Sequence, residues 1–145
     1  MAQPGFPYGG SIGYTLKQAQ SALRVRMDAQ LRPLGLTTPQ YSCLEALRRA
    51  PGSSNADLAR AVFVTRQSMN TLLRGLQDRG LVERAEKADG GRALPARLTI
   101  AGEAILDRAS GLILELEDAM AGELGPQRRT ELVENLRACV AALET

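Results

Sequence analysis

The chain has 145 residues, a length that suits one domain with helical extensions, and 44% of them are hydrophobic, enough to form a core. Aromatic residues make up only 3% and Trp is absent, so we expect an aliphatic, mainly helical core. With a net charge of +2, no His and two distant Cys, the composition argues against His-dependent catalysis, a disulfide framework and zinc-type Cys spacing.

The N-terminal segment is predicted to be a flexible tail followed by one long helix. Residues 1–10 are rich in Gly and Pro, which favours a tail. Spacings of three and four then mark one stripe of an amphipathic helix: Ile12, Leu16, Ala19, Leu23, Met27 and Leu31. Pro33 and Gly35 should end this helix. Because no segment resembles a signal peptide or a membrane span, we expect a cytoplasmic protein.

Residues 38–79 predict three further helices in close succession. Thr38 is the expected N-cap of the first, and Ser53 or Ser54 can cap a short second helix. Thr65 is expected to begin the third, after a tight turn. A short helix, a turn and a second helix form a helix-turn-helix, in which the second helix can enter the major groove of DNA.

The third of these helices has two distinct faces. Spacing places four apolar side chains on the core side: Met69, Leu72, Leu73 and Leu76. An adjoining arc carries groups that read base edges, and the predicted DNA contacts are Thr65, Arg66, Gln67, Ser68, Asn70, Thr71 and Arg74. Only Asp78 adds an acid to it. An ordinary solvated helix face is the alternative, but such faces usually mix Glu with Lys.

A basic β-hairpin is predicted to follow. Strands over residues 81–84 and 96–100 flank the sequence Asp89-Gly90-Gly91, a strong turn signal. Three basic residues are expected to contact the DNA backbone or the minor groove: Arg84, Lys87 and Arg92. A loop that only improves solubility is the alternative for this hairpin.

The C-terminal third is predicted to hold two helices separated by Gly125-Pro126, the last running from about Gln127 to Leu143. Their apolar bands are wider than an intramolecular contact usually needs. Charge also divides the chain: residues 48–97 hold ten Lys or Arg and five Asp or Glu, a net of +5, whereas residues 101–145 hold four and nine, a net of −5. The middle of the chain therefore suits a polyanion and the C-terminal third does not.

The run NADLARAVFVTRQSMNTLLRGLQDRGLVER (Asn55 to Arg84), followed by a short basic tip and LTIAG, resembles the helix-turn-helix and wing of the MarR family of bacterial transcriptional regulators. The resemblance implies a mainly α fold with a small β-hairpin, in which dimerisation helices flank a winged helix-turn-helix. The corresponding domains are a tail at 1–10, a dimerisation helix at 11–34, a DNA-binding lobe at 35–100 and C-terminal dimerisation helices at 101–145.

The resemblance also implies a homodimeric repressor that binds a pseudo-palindromic site on double-stranded DNA and is released by a small phenolic or aromatic acid. The effector site is not identified by the sequence, although Arg24 and Arg48 are candidates for its carboxylate. We expect no enzyme activity, no cofactor, no metal and no membrane partner. Two alternatives remain open: a helical protein-interaction module that does not read DNA, and a redox-sensing repressor that uses Cys43.

Overall fold

The computed structural model describes residues 10–84 and 95–144, which are mainly helical. The elements, in chain order, are α1 (Ile12–Leu31), a 3-10 turn (Arg32–Leu34), α2 (Thr38–Arg49), α3 (Asn55–Ala61), α4 (Arg66–Asp78), β1 (Val82–Arg84), β2 (Ala96–Leu98), α5 (Ile100–Met120) and α6 (Gly125–Leu143). The chain divides into two compact units within α5, after Leu112. None of the helices in the described part is both long enough and apolar enough to span a bilayer.

Helix α1 begins and ends where its sequence predicts. The Ser11 hydroxyl accepts a hydrogen bond from the Tyr14 N–H at 3.0 Å and so caps the first turn. After Leu31 the chain tightens into the 3-10 turn around Pro33. Gly35 then adopts a left-handed φ of 70°, which a residue without a Cβ takes at little cost, and the helix cannot continue.

Helix α2 is capped by Thr37, so the prediction of Thr38 as its N-cap is wrong by one residue. Thr37 accepts from the Gln40 N–H while the Gln40 side chain accepts from the Thr37 N–H, a capping box. Thr38 is buried, and its hydroxyl donates to Asp28 of α1 at 2.5 Å. That hydrogen bond, helped by the charge of Arg24, holds the pKa of the Asp28 carboxyl below its usual value. The Thr38 hydroxyl therefore joins α2 to α1.

Helices α3 and α4 form the predicted helix-turn-helix. The Ser54 hydroxyl caps α3 by accepting from the Asp57 N–H at 3.1 Å, and Thr65 caps α4 by accepting from Ser68 at 3.0 Å. Between them, Phe63 takes a left-handed φ of 62° and the Val64 N–H donates back to the Ala59 carbonyl. A helix commonly ends in this way.

The hydrophobic core lies in the first unit and is built from leucines. Its largest fully buried side chains are Leu31, Leu44, Leu47, Leu58, Met69, Leu73, Leu76 and Leu106. Burial of each such side chain contributes about 1.5–3 kcal/mol. Three of them come from α4, as its periodicity predicts, whereas Leu72 is only half-buried. Packing of one face of α4 thus fixes which face points outward.

Strands β1 and β2 form the base of an antiparallel hairpin, with Val82 opposite Leu98 and Arg84 opposite Ala96. The second strand is shorter than predicted, because Ile100 already begins α5. Thr99 makes this early change of direction by hydrogen bonding: its hydroxyl donates to the Gly80 carbonyl at 2.6 Å and accepts from the Gly102 N–H at 3.0 Å. The hairpin base is thereby joined to the start of α5.

Candidate nucleic-acid interface

The predicted DNA-reading side chains of α4 are all exposed. Thr65, Arg66, Gln67, Ser68, Asn70, Thr71 and Arg74 lie on the surface, while the opposite face of the helix is buried. The first turn of α4 contains no acidic residue. The exposed arc therefore offers guanidinium, amide and hydroxyl groups with little negative charge to repel a phosphate backbone.

Asn70 is joined to two other elements by hydrogen bonds. Its Oδ1 accepts from Nδ2 of Asn55, the first residue of α3. Oδ1 of Asn55 accepts in turn from Nη2 of Arg84, the last residue of β1, at 2.8 Å. Sequence analysis missed Asn55, because its partners lie 15 and 29 residues away. The three residues connect α3, α4 and the wing.

Arg84, predicted as a wing contact to DNA, lies partly buried with its guanidinium against α3. Its Nε is buried, and no acceptor among the described residues pairs with it. Burial of an unpaired donor costs about 1–3 kcal/mol, so the packing around Arg84 has to offset that cost. Lys87 and Arg92, the other two predicted wing contacts, lie outside the described residues.

Sequence analysis also missed a set of hydrogen bonds that fixes the C-terminal end of α4. Nη1 of Arg79 donates to the Gly35 carbonyl at 2.6 Å and Nη2 donates to the Leu34 carbonyl at 3.4 Å. These bonds join α4 to the turn that follows α1. Backbone carbonyls are acceptors that any sequence can supply, so no residue pattern identified this contact.

Arg24 and Arg48, the candidates for an effector carboxylate, are each already paired with a carboxylate of this chain. Nε of Arg24 lies 3.3 Å from Asp28, and Nη1 of Arg48 pairs with Asp107 of α5. Nη2 of Arg48 also lies 3.5 Å from the Ser110 hydroxyl. An acidic ligand at either arginine would have to displace the internal partner.

Cys43, the candidate redox sensor, is fully buried in α2, with its Sγ 3.6 Å from Sδ of Met69. Burial raises the pKa of the Cys43 thiol to about 11, so the thiol is protonated at neutral pH. The thiolate is the reactive form in oxidation. Cys43 therefore packs as a small apolar residue against Met69 of α4.

Hydrogen peroxide is consequently expected to leave DNA affinity unchanged at neutral pH. The measurement is DNA binding before and after peroxide in a Cys139→Ser chain, so that any response reports on Cys43 alone. Cys139 is half-buried and could otherwise react. Release of DNA by peroxide from this chain, prevented by the further change Cys43→Ser, would restore the redox interpretation.

Comparison with known proteins points to one family. A sequence model of a protein family, described as the MarR family, matches residues 34–93 of this chain. The HTH-type transcriptional repressor Rv2887 of Mycobacterium tuberculosis is 43% identical over 119 residues, covering 81% of this chain and 86% of that protein.

Solved structures give the same result. The complex of Rv2887 with DNA has a TM-score of 0.73 and 36% identity, covering 90% of this chain and 98% of that one. Its complex with salicylic acid has a TM-score of 0.75 and 38% identity, covering 90% and 96%. The transcriptional repressor CouR, bound to a 23-mer DNA duplex, has a TM-score of 0.81 and 30% identity, covering 90% and 92%.

Proposed function

This chain belongs to the MarR family, and on that premise we propose that it is a sequence-specific DNA-binding transcriptional repressor. The observation that carries the proposal is the exposed, acid-poor arc of α4, which the buried side chains of Met69, Leu73 and Leu76 hold outward. The relatives Rv2887 and CouR, both named as repressors and both solved with DNA, support it.

The chemistry of α4 suits readout in the major groove. Arg66 can bond guanine O6 and N7, amides such as Gln67 can bond adenine, and hydroxyls accept or donate to either purine. Arg74, farther along the exposed arc, can neutralise a phosphate. Of the three predicted wing contacts, Lys87 and Arg92 remain proposed contacts to the backbone or the minor groove. The guanidinium of Arg84 is instead engaged with Asn55 of α3.

We propose that the repressor acts as a homodimer. Apolar side chains are exposed on α1, among them Ile12 and Leu16, and on α6, among them Val140 and Leu143. No residue of α6 is buried, although the helix runs from Gly125 to Leu143. Exposed apolar surface of this kind marks an interface, and we assign residues 11–34 and 101–145 to dimerisation around the lobe at 35–100. Two-fold symmetry would place two α4 helices about 34 Å apart on a pseudo-palindromic operator.

We further propose that a small aromatic or phenolic acid releases the DNA. The relative Rv2887 has been solved with salicylic acid, which supports this class of ligand. Such a ligand would act by favouring one of two dimer geometries that differ in the spacing of the α4 helices. A cytoplasmic location and the absence of enzyme activity complete the proposal.

The proposal predicts a steep dependence of DNA affinity on salt. If the dimer neutralises six to ten phosphates, affinity should fall by about 10³–10⁵ between about 50 and 200 mM salt, because condensed counterions are released on binding. The measurement is a titration of operator DNA, selected from random sequence, at several salt concentrations.

Two arginine variants control that titration. Arg74→Gln removes a charge from the exposed arc and should lower the slope of log affinity against log salt by about one per subunit. Arg108→Gln removes a charge from an exposed position on α5 and should leave the slope unchanged. Flat salt dependence, or no DNA binding at all, would contradict the proposal and favour the protein-interaction module.

A further inference from the structure

The hydrogen bonds that join Arg84, Asn55 and Asn70 have a fixed direction. A guanidinium carries N–H donors and no acceptor, so the atom of Asn55 that faces Arg84 must be its carbonyl oxygen, Oδ1. The amide nitrogen of Asn55 then lies on the other side and can only donate. The atom of Asn70 that receives this donor must be its own carbonyl oxygen, Oδ1.

This relay determines what Asn70 offers to a bound molecule. Oδ1 of Asn70 faces Asn55 within the protein, so Nδ2, with its N–H groups, lies on the side turned away from Asn55. The side chain is exposed on the same arc of α4 as Arg66 and Gln67. An asparagine without a partner could rotate its amide to suit either kind of base, but the hydrogen bond from Asn55 favours one orientation.

We propose that Arg84 is a positioning residue that orients Asn70, through Asn55, to present an N–H donor to DNA. Asn70 then selects a base whose exocyclic group in the major groove is an acceptor, which is guanine through O6 or thymine through O4. An unrestrained asparagine would instead favour adenine, with which it pairs through both a donor and an acceptor. The inference rests on the proposed DNA-binding function and adds the base that one α4 residue selects.

The decisive variant is Asn55→Asp, which keeps the shape of residue 55 but replaces its amide with a carboxylate. A carboxylate accepts from Arg84 and can only accept from Asn70, so Asn70 must turn its Nδ2 toward residue 55 and its Oδ1 outward. The preferred base at the facing position should change from guanine or thymine to adenine or cytosine, which present donors at N6 and N4, by about tenfold or more. Because residue 55 begins α3, an acidic side chain there suits the helix dipole and the fold should persist.

The measurement is selection of bound sequences from random DNA, with each variant's thermal unfolding as a check on folding. Asn70→Ala should abolish the preference at one position of each half-site and thereby identify it. Arg84→Met should leave the slope of log DNA affinity against log salt unchanged. At the position facing Asn70 it should allow adenine or cytosine as well as guanine or thymine. If Arg84 bound a phosphate instead, Arg84→Met would weaken all sequences evenly and lower the slope by about one, which would overturn the relay.

The outcomes separate the relay from the function on which it rests. If the wild type enriches an operator and Asn55→Asp enriches the same bases at every position, the relay is wrong and the DNA-binding function stands. If the wild type enriches no sequence, the proposed function fails and the relay fails with it. A change from guanine or thymine to adenine or cytosine, confined to the position that Asn70→Ala identifies, supports both.

Discussion

Replacing Gly102 with alanine is expected to lower the free energy of unfolding by about 3 kcal/mol, because an added methyl group has no space at this position. A Cβ built at Gly102 would overlap the carbonyl oxygen of Leu81 and lie 3.0 Å from its carbonyl carbon. Both are backbone atoms, so no rotation of a side chain can relieve the overlap. The Leu81 carbonyl also accepts from the Thr99 N–H at 3.1 Å, which holds it in place. The start of α5 and the start of β1 would have to separate.

Chemical denaturation of the two alanine variants of α5 tests this expectation. At Gly111, on the same helix, an added Cβ would have no atom of the other described residues within 4 Å apart from its neighbours and the nearby backbone of α5 itself. Gly111→Ala should therefore raise the free energy of unfolding by about 0.5–1 kcal/mol through better helix propensity. Equal responses of the two variants would show that the close approach of Leu81 to Gly102 does not exist. The glycine of the sequence LTIAG is thus explained by contact between two backbones.

The start of α2 shows how accurately a local sequence pattern can predict where a helix begins. Thr37-Thr38-Pro39-Gln40 contains two good capping residues, and composition alone does not choose between them. The spacing of Thr37 to Gln40 is that of a capping box and could have identified Thr37. No local pattern predicts the hydrogen bond from Thr38 to Asp28, which lies ten residues earlier on another helix. The helix was predictable, but the role of its second threonine depends on tertiary structure.

The candidate site likewise has features that the sequence predicts and features that depend on tertiary structure. The outward direction of Arg66, Gln67 and Asn70 follows from the spacing of the apolar residues on α4, because a helix that buries one face must expose the other. The orientation of the Asn70 amide does not follow from spacing, since it depends on Asn55 and Arg84.

The reactivity of Cys43 also could not be predicted from the sequence. Its residue type left a redox role open, whereas the packing around it raises the pKa of the thiol to about 11 and so disfavours the reactive thiolate. In both cases the side chain's surroundings decide its chemistry, and those surroundings come from distant parts of the chain.

Arg66→Ala is expected to weaken binding to the preferred operator by about 1–3 kcal/mol for each half-site, which is about 5- to 150-fold. Arg66 is the first residue of α4 and is exposed. None of the ion pairs among the described residues involves it, so its guanidinium is available to a base. Titrations with the selected operator and with unrelated DNA should show a larger decrease in affinity for the operator, because unrelated DNA engages the charge alone.

Arg66→Lys separates recognition of a base from attraction to the backbone, because lysine keeps the positive charge but lacks the planar fork that bonds two acceptors at once. Affinity for unrelated DNA should recover in the lysine variant, while the preference for the operator stays low. Full recovery of that preference would instead assign Arg66 to a phosphate, since a point charge suffices there. In that case base readout would rest on the amide and hydroxyl side chains farther along α4, where Asn70 is oriented by Asn55 rather than by its own helix.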